Sequence, residues 1–242
     1  GFSAYSRDID WKAFKSIADE VGAVTFGDIA HIAGLIAGKA LENPVPVFDI
    51  VTTTTHKTLR GPRGAIIMSK AAFQKDLDRT VFPGIQGGPH DHVNAAKAVC
   101  FHEALQPSFQ QYAKQVIRNA QALAGELMAR GYRILTDGTD NHLMVVDLRS
   151  KDLAGKAAEI ALDKAGISCS RSTIPFDTRK AMDPSGIRLG TPAVTTRGMG
   201  EAESKQIAAF IDEALMKASD DAALAKIRGG VRELCNRFPL YV

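Results

Sequence analysis

The chain has 242 residues, 45% of them hydrophobic and 24% charged, with a formal net charge of +3. This is an ordinary globular composition, long enough for one large or two small domains, and its charge makes no case for nucleic acid or a membrane surface as partner. No apolar run approaches a membrane span and no targeting segment is read; Cys100, Cys169 and Cys235 lack metal-ligand or disulfide spacing, as in a reduced cytoplasmic protein.

Phe2 to Tyr5 reads as the end of a strand already under way, so the chain is expected to be the carboxyl-terminal part of a longer protein. Asp10 caps a helix whose apolar positions Trp11, Phe14, Ile17, Ala18 and Val21 share one face, and Gly22 stops it. Strands are expected at Ala23–Phe26, Val47–Thr53 and Ala65–Met68, with helical turns between them, which argues for a mostly parallel sheet covered by helices. A turn-rich loop, Phe82 to His90, precedes helices near Val93–Leu105 and Ser108–Arg130, the second ended by Gly131.

Beyond Gly131 the pattern becomes α+β. Strands are expected at Tyr132–Leu135, His142–Leu148, Ile167–Ser170 and Gly186–Gly190, with helices at Leu153–Ala165, Gly200–Ala218 and Asp221–Asn236. Residues 1–115 are therefore expected to form part of a large α/β domain and residues 116–242 a small α+β domain.

The chemistry concentrates where the threonine run Thr52 to Thr55 meets His56 and Lys57, followed by the Gly61-Pro62-Arg63-Gly64 loop. β-Branched residues favour extended backbone, so Lys57 is delivered at the carboxyl end of a strand, where open α/β sheets bind ligands. A lysine there, among hydroxyls and other cations, is a candidate for Schiff-base chemistry. Asp28 ends the preceding strand in sequence, which would set a carboxylate and an amine along one rim. Pyridoxal phosphate (PLP) requires that pair: the lysine joins the cofactor aldehyde, and a buried carboxylate keeps the ring nitrogen protonated. His31, three residues on, could meet the cofactor's phenolic oxygen or a substrate carboxylate. His56 should point to the other side of the strand if its geometry persists. Gly87 and Gly88 offer free backbone N–H groups to a phosphate, and Arg188 could grip a carboxylate in bidentate fashion.

The blocks Ser3-Ala4-Tyr5-Ser6, Asp28 to Gly34, Thr52 to Gly64, Phe82 to Pro89, Thr139 to His142 and Gly186 to Ala193 resemble, in order, those of the serine hydroxymethyltransferase family. The resemblance implies the aspartate-aminotransferase-like (type I) fold of PLP-dependent transferases. It also implies reversible transfer of the serine hydroxymethyl group to tetrahydrofolate, giving glycine and 5,10-methylenetetrahydrofolate. Lys57 would carry the internal aldimine, Asp28 pair with the pyridine nitrogen, and Ser3 and His31 lie near the phenolic oxygen. Thr54 and His56 would line the site, with Thr54 assisting lysine–substrate exchange. Arg188 would bind the amino acid carboxylate, and Gly87 and Gly88 would meet the phosphate of the partner subunit's cofactor in a homodimer or tetramer. Arg63 falls at a family position close to the site.

The family's chain is longer at its amino end, where it carries a proton-handling acid, aromatic residues from the neighbouring subunit and a ring-stacking histidine. Without them the fragment is expected to bind PLP weakly and not to turn over serine. Near the folate site the family reads Asn-Lys-Asn where this chain has Ser170-Arg171-Ser172; Ser172 in place of an amide predicts weaker folate binding. The alternatives are a folate-independent aldolase acting on β-hydroxy amino acids and a non-catalytic dimerisation module.

Overall fold

A computed structural model describes residues 1–240. The chain divides into two compact units, one comprising Gly1–Ser3 and Asp8–Lys114, the other Ala4–Arg7 and the residues from Gln115 onward. Ala4–Arg7, from the amino end of the chain, belongs with the second unit. Hydrogen bonds account for this. The Asp140 N–H donates to the Ser6 carbonyl at 2.8 Å, the Ser6 hydroxyl donates to the Gly138 carbonyl at 3.1 Å, and the Asn141 amide reaches the Tyr5 carbonyl at 3.2 Å.

In the first unit, helix α1 (Trp11–Glu20) starts on Asp10, whose carboxylate accepts from the Ala13 N–H at 2.9 Å. Strand β1 (Phe26–Asp28) leads to the short helix α2 (Ala33–Ala37), and strand β2 (Ile50–Thr54) to strand β3 (Ala65–Ser69). Helices α3 (Gln74–Arg79) and α4 (Asp91–Ala104) follow. The sheet order is β1-β2-β3. β1 and β2 are parallel, with Asp28 opposite Thr52, while β2 and β3 are antiparallel. The parallel character expected of the sheet thus lies at the β1–β2 pair, which carries the site.

β1 begins three residues later than the apolar pattern suggested, because pairing sets its bounds. Thr25, just before it, keeps one bond to β2, its carbonyl accepting from the Ile50 N–H at 3.0 Å, while its N–H and hydroxyl donate to the Asp49 carboxylate at 2.9 and 2.8 Å. The α1 stripe also splits. Trp11 and Ala18 are buried, whereas Phe14, Ile17 and Val21 are exposed at 52%, 66% and 77%.

Helix α5 (Pro107–Ala129) begins in the first unit and continues into the second. There β4 (Arg133–Ile134), β5 (Leu143–Asp147), α6 (Gly155–Lys164), β6 (Ser170–Ser172), β7 (Gly186–Gly190), α7 (Pro192–Thr196), α8 (Glu201–Met216) and α9 (Asp221–Asn236) follow. The strands form one antiparallel sheet in the order β4-β5-β7-β6. Ala120, Leu123 and Leu127 of α5 pack into a core with Met144, Val146, Leu162, Ile187, Ile211 and Leu224. β6 starts at Ser170 rather than Ile167 because Ser170, Arg171 and Ser172 are the residues that register with β7.

Candidate active site

The first unit builds its site around one closed loop. Thr55 is buried and fastens both ends: its N–H donates to the Gly64 carbonyl at 2.9 Å, its carbonyl accepts from the Gly61 N–H at 2.7 Å, and its hydroxyl donates to the Pro62 carbonyl at 2.6 Å. Lys57 and His56 sit in this loop, both half-buried, just past the carboxyl end of β2. Asp28 is the last residue of the parallel neighbour.

A second fastening joins the lysine loop to the segment after Asp28. The buried Thr58 hydroxyl accepts from the Gly34 N–H at 2.9 Å and donates to the His31 carbonyl at 2.9 Å. A Cβ on Gly34 would lie 2.1 Å from the Thr58 carbonyl oxygen, so the approach tolerates only glycine. Sequence reasoning quoted Thr58 and Gly34 within their motifs but gave them no role. A hydroxyl directly after a site lysine was the available signal; its partners lie 24 and 27 residues away.

Asp28, expected as a buried carboxylate, is exposed in this chain. Its Oδ1 accepts from the Ala30 N–H at 2.8 Å, the Asx turn by which a strand-end aspartate redirects the backbone. Ser3 is exposed at the start of the same unit, and a Cβ on Gly1 would lie 2.2 Å from the Asp28 carbonyl oxygen. His31 is half-buried in the turn before α2. Thr54 closes β2.

Two atoms in this region stand out. Thr54 Oγ1 and His56 Nδ1 are enclosed, and neither has a hydrogen-bond partner among the described residues. Buried polar atoms are nearly always paired, so two orphans one and three residues before Lys57 fit a polar ligand bound at this loop.

Gly87 and Gly88 are exposed in the loop between α3 and α4, with nothing within 4 Å of where their Cβ atoms would stand. Arg188 and Ser172 belong to the second unit. Arg188 is at the centre of β7, opposite Val145 of β5 and Ser170 of β6, and Ser172 pairs with Gly186. Burial pushes the Cys169 thiol up to about 11 and raises that of Cys100, so both are protonated near neutrality.

Residues 1–211 match the family model described as serine hydroxymethyltransferase. The chain belongs to the serine hydroxymethyltransferase family. Among curated relatives, the serine hydroxymethyltransferase of Myxococcus xanthus is 56% identical over 241 residues, covering 100% of this chain and 58% of that protein. That of Acidothermus cellulolyticus is 56% identical over 245 residues, 99% of this chain and 57% of its own length. That of Sorangium cellulosum is 53% identical over 239 residues, 99% and 56%. The chain thus spans rather more than half the length of the serine hydroxymethyltransferases it matches. No described helix is long and apolar enough to cross a membrane.

Proposed function

We propose that this chain carries the cofactor-lysine part of a PLP-dependent glycine hydroxymethyltransferase. The enzyme interconverts serine and glycine by reversible transfer of the hydroxymethyl carbon to tetrahydrofolate. The carrying observation is the Lys57 loop: a lysine beyond one strand, an aspartate ending its parallel neighbour, and two enclosed polar atoms that no described residue pairs.

When bound, PLP supplies a protonated ring that withdraws electrons from the α-carbon of an attached amino acid. Lys57 would hold it covalently. Asp28 would keep the proton on the ring nitrogen, and Ser3 and His31 would face the phenolic oxygen. Thr54 and His56 would line the pocket, with Thr54 aiding exchange of lysine for substrate amine. Arg188 would fix the substrate carboxylate through two parallel N–H donors, which sets which α-carbon bond is aligned for cleavage. Gly87 and Gly88 would present backbone N–H groups to a phosphate held by a partner subunit, and Ser172 would face the folate. Residues 1–115 are then the carboxyl side of the PLP-binding domain and residues 116–242 the small domain. The assembly is a cytoplasmic homodimer or tetramer, with neither nucleic acid nor membrane as partner. The 242 residues alone bind PLP weakly and do not turn over serine, because the matched relatives devote over 40% of their length to chain this segment does not supply.

The test is Lys57→Gln in the full-length protein. Loss of the visible absorbance band of lysine-bound PLP, with serine cleavage reduced at least ~10³-fold, is the expected result. Unchanged activity would refute the assignment. Serine cleavage independent of tetrahydrofolate in the unsubstituted protein would favour the aldolase instead.

A further inference from the structure

Three residues beyond Lys57, the backbone enters a region that side-chain-bearing residues seldom occupy. Arg60 has φ +62°, in the left-handed region. Gly61 follows at once but serves a different need: a Cβ there would lie 2.6 Å from Cys100 Sγ and 2.8 Å from the Thr55 carbonyl oxygen. The left-handed position is therefore filled by an arginine, and strained backbone of this kind persists only where its surroundings hold it.

Two contacts do so. The Arg60 N–H donates to the Lys57 carbonyl at 2.9 Å, closing a turn on the lysine's own backbone. The guanidinium lies 4.0 Å from the Tyr112 ring centroid and 5.3 Å from that of Phe109. These rings sit one helical turn apart on α5, with centroids 5.5 Å apart. A planar cation over two aromatic faces is a directional clamp, and a lysine ammonium reproduces only its charge.

We propose that Arg60 is a positioning residue for Lys57. Stacking on Tyr112 and Phe109 holds residue 60 in its left-handed conformation, the turn hydrogen bond passes that constraint to the Lys57 carbonyl, and the reach of the lysine Nζ is fixed as a result. This rests on the reading of Lys57 as the cofactor lysine. Arg60 contacts neither cofactor nor substrate; its stacked side chain reaches Lys57 only through the backbone turn.

The experiment uses the PLP-loaded full-length protein, with amide exchange of residues 57–61 followed in its cofactor-free form. Arg60→Ala is expected to release PLP about tenfold faster, equivalent to about 1.4 kcal/mol, and to speed exchange in the turn. Tyr112→Leu should reproduce both effects, and the double variant should be no worse than either single. Arg60→Lys should fall between Arg60→Ala and the unsubstituted protein. Arg60→Gly separates backbone from side chain: it relieves the left-handed strain and is expected to unfold at a higher temperature than Arg60→Ala while releasing PLP as fast. The proposal falls if PLP release is unchanged in Arg60→Ala, or if release simply follows thermal stability across the series, which is the pattern of a purely structural role. Lys57→Gln is the control on the parent reading. If it keeps the visible band, Lys57 is not the cofactor lysine, whatever the Arg60 variants do.

Discussion

Asp49 shows how single groups set the conditions under which the β1–β2 pair holds. Lys70 donates to its Oδ1 at 2.7 Å, and the Thr25 N–H and hydroxyl donate to its Oδ2. These donors, Lys70 foremost, hold the carboxyl well below the usual carboxylate range. Asp177 is held low in the same direction by the Ser185 and Arg179 N–H groups and the Ser185 hydroxyl. A depressed folded-state value means stabilisation that is complete above the unfolded pKa of ~3.9 and is lost as pH falls through the folded value. The urea midpoint is therefore expected to drop below about pH 4. Asp49→Asn should lower that midpoint at neutral pH and flatten its acid limb. An acid limb as steep as before in Asp49→Asn would show that Asp49 does not carry this dependence. At this scale the sequence was informative about which residue types stand at the strand ends, Lys57 and Asp28 among them, and silent about partnership. Nothing local announces that Thr58 bonds to His31 and Gly34.

At the scale of elements, periodicity and punctuation located the longer helices well, while the short α3 and α7 gave no such signal. Asp220 caps α9 by accepting from the Ala223 N–H at 3.0 Å, and Gly131, with φ +82°, ends the long α5 run as its position suggested. Helix stability nevertheless comes mostly from packing. Two substitutions should separate these contributions by urea denaturation. Asp220→Ala loses one cap and is expected to cost about 1 kcal/mol. Leu127→Ala empties part of the fully buried core of the second unit and is expected to cost ~2–5 kcal/mol. Equal losses would contradict the distinction. Strand bounds were less legible for a physical reason: a helix closes its own hydrogen bonds, whereas a strand ends where its neighbour stops pairing. Hence β1 and β6 sit three residues from where apolar patterning put their starts.

At the scale of the whole chain, the first unit leaves much apolar surface open. Phe14, Ile17, Val21, Val24 and Phe26 are each more than half exposed, as are Phe82, Ile85, Val99 and Leu105. Exposed apolar surface on that scale marks interaction or aggregation. The isolated 242-residue chain is therefore expected to enhance the fluorescence of an apolar dye while folded and to retain PLP poorly through gel filtration. A chain that binds no dye and keeps stoichiometric PLP would overturn this expectation.

The amino-acid sequence determined the chemical vocabulary of this protein: the lysine beyond a threonine strand, the aspartate that precedes it, the guanidinium of Arg188, and the order of the strands and longer helices. These are local, since residue type and spacing along one chain fix them. Only the tertiary structure decided which strands pair in parallel, that Ala4–Arg7 joins the second unit, that Thr58 laces the lysine loop to the turn after Asp28, and that Arg60 takes a left-handed conformation with its guanidinium over two aromatic rings. Each of these depends on hydrogen bonds or packing between segments far apart in sequence, whose free energy no local pattern encodes.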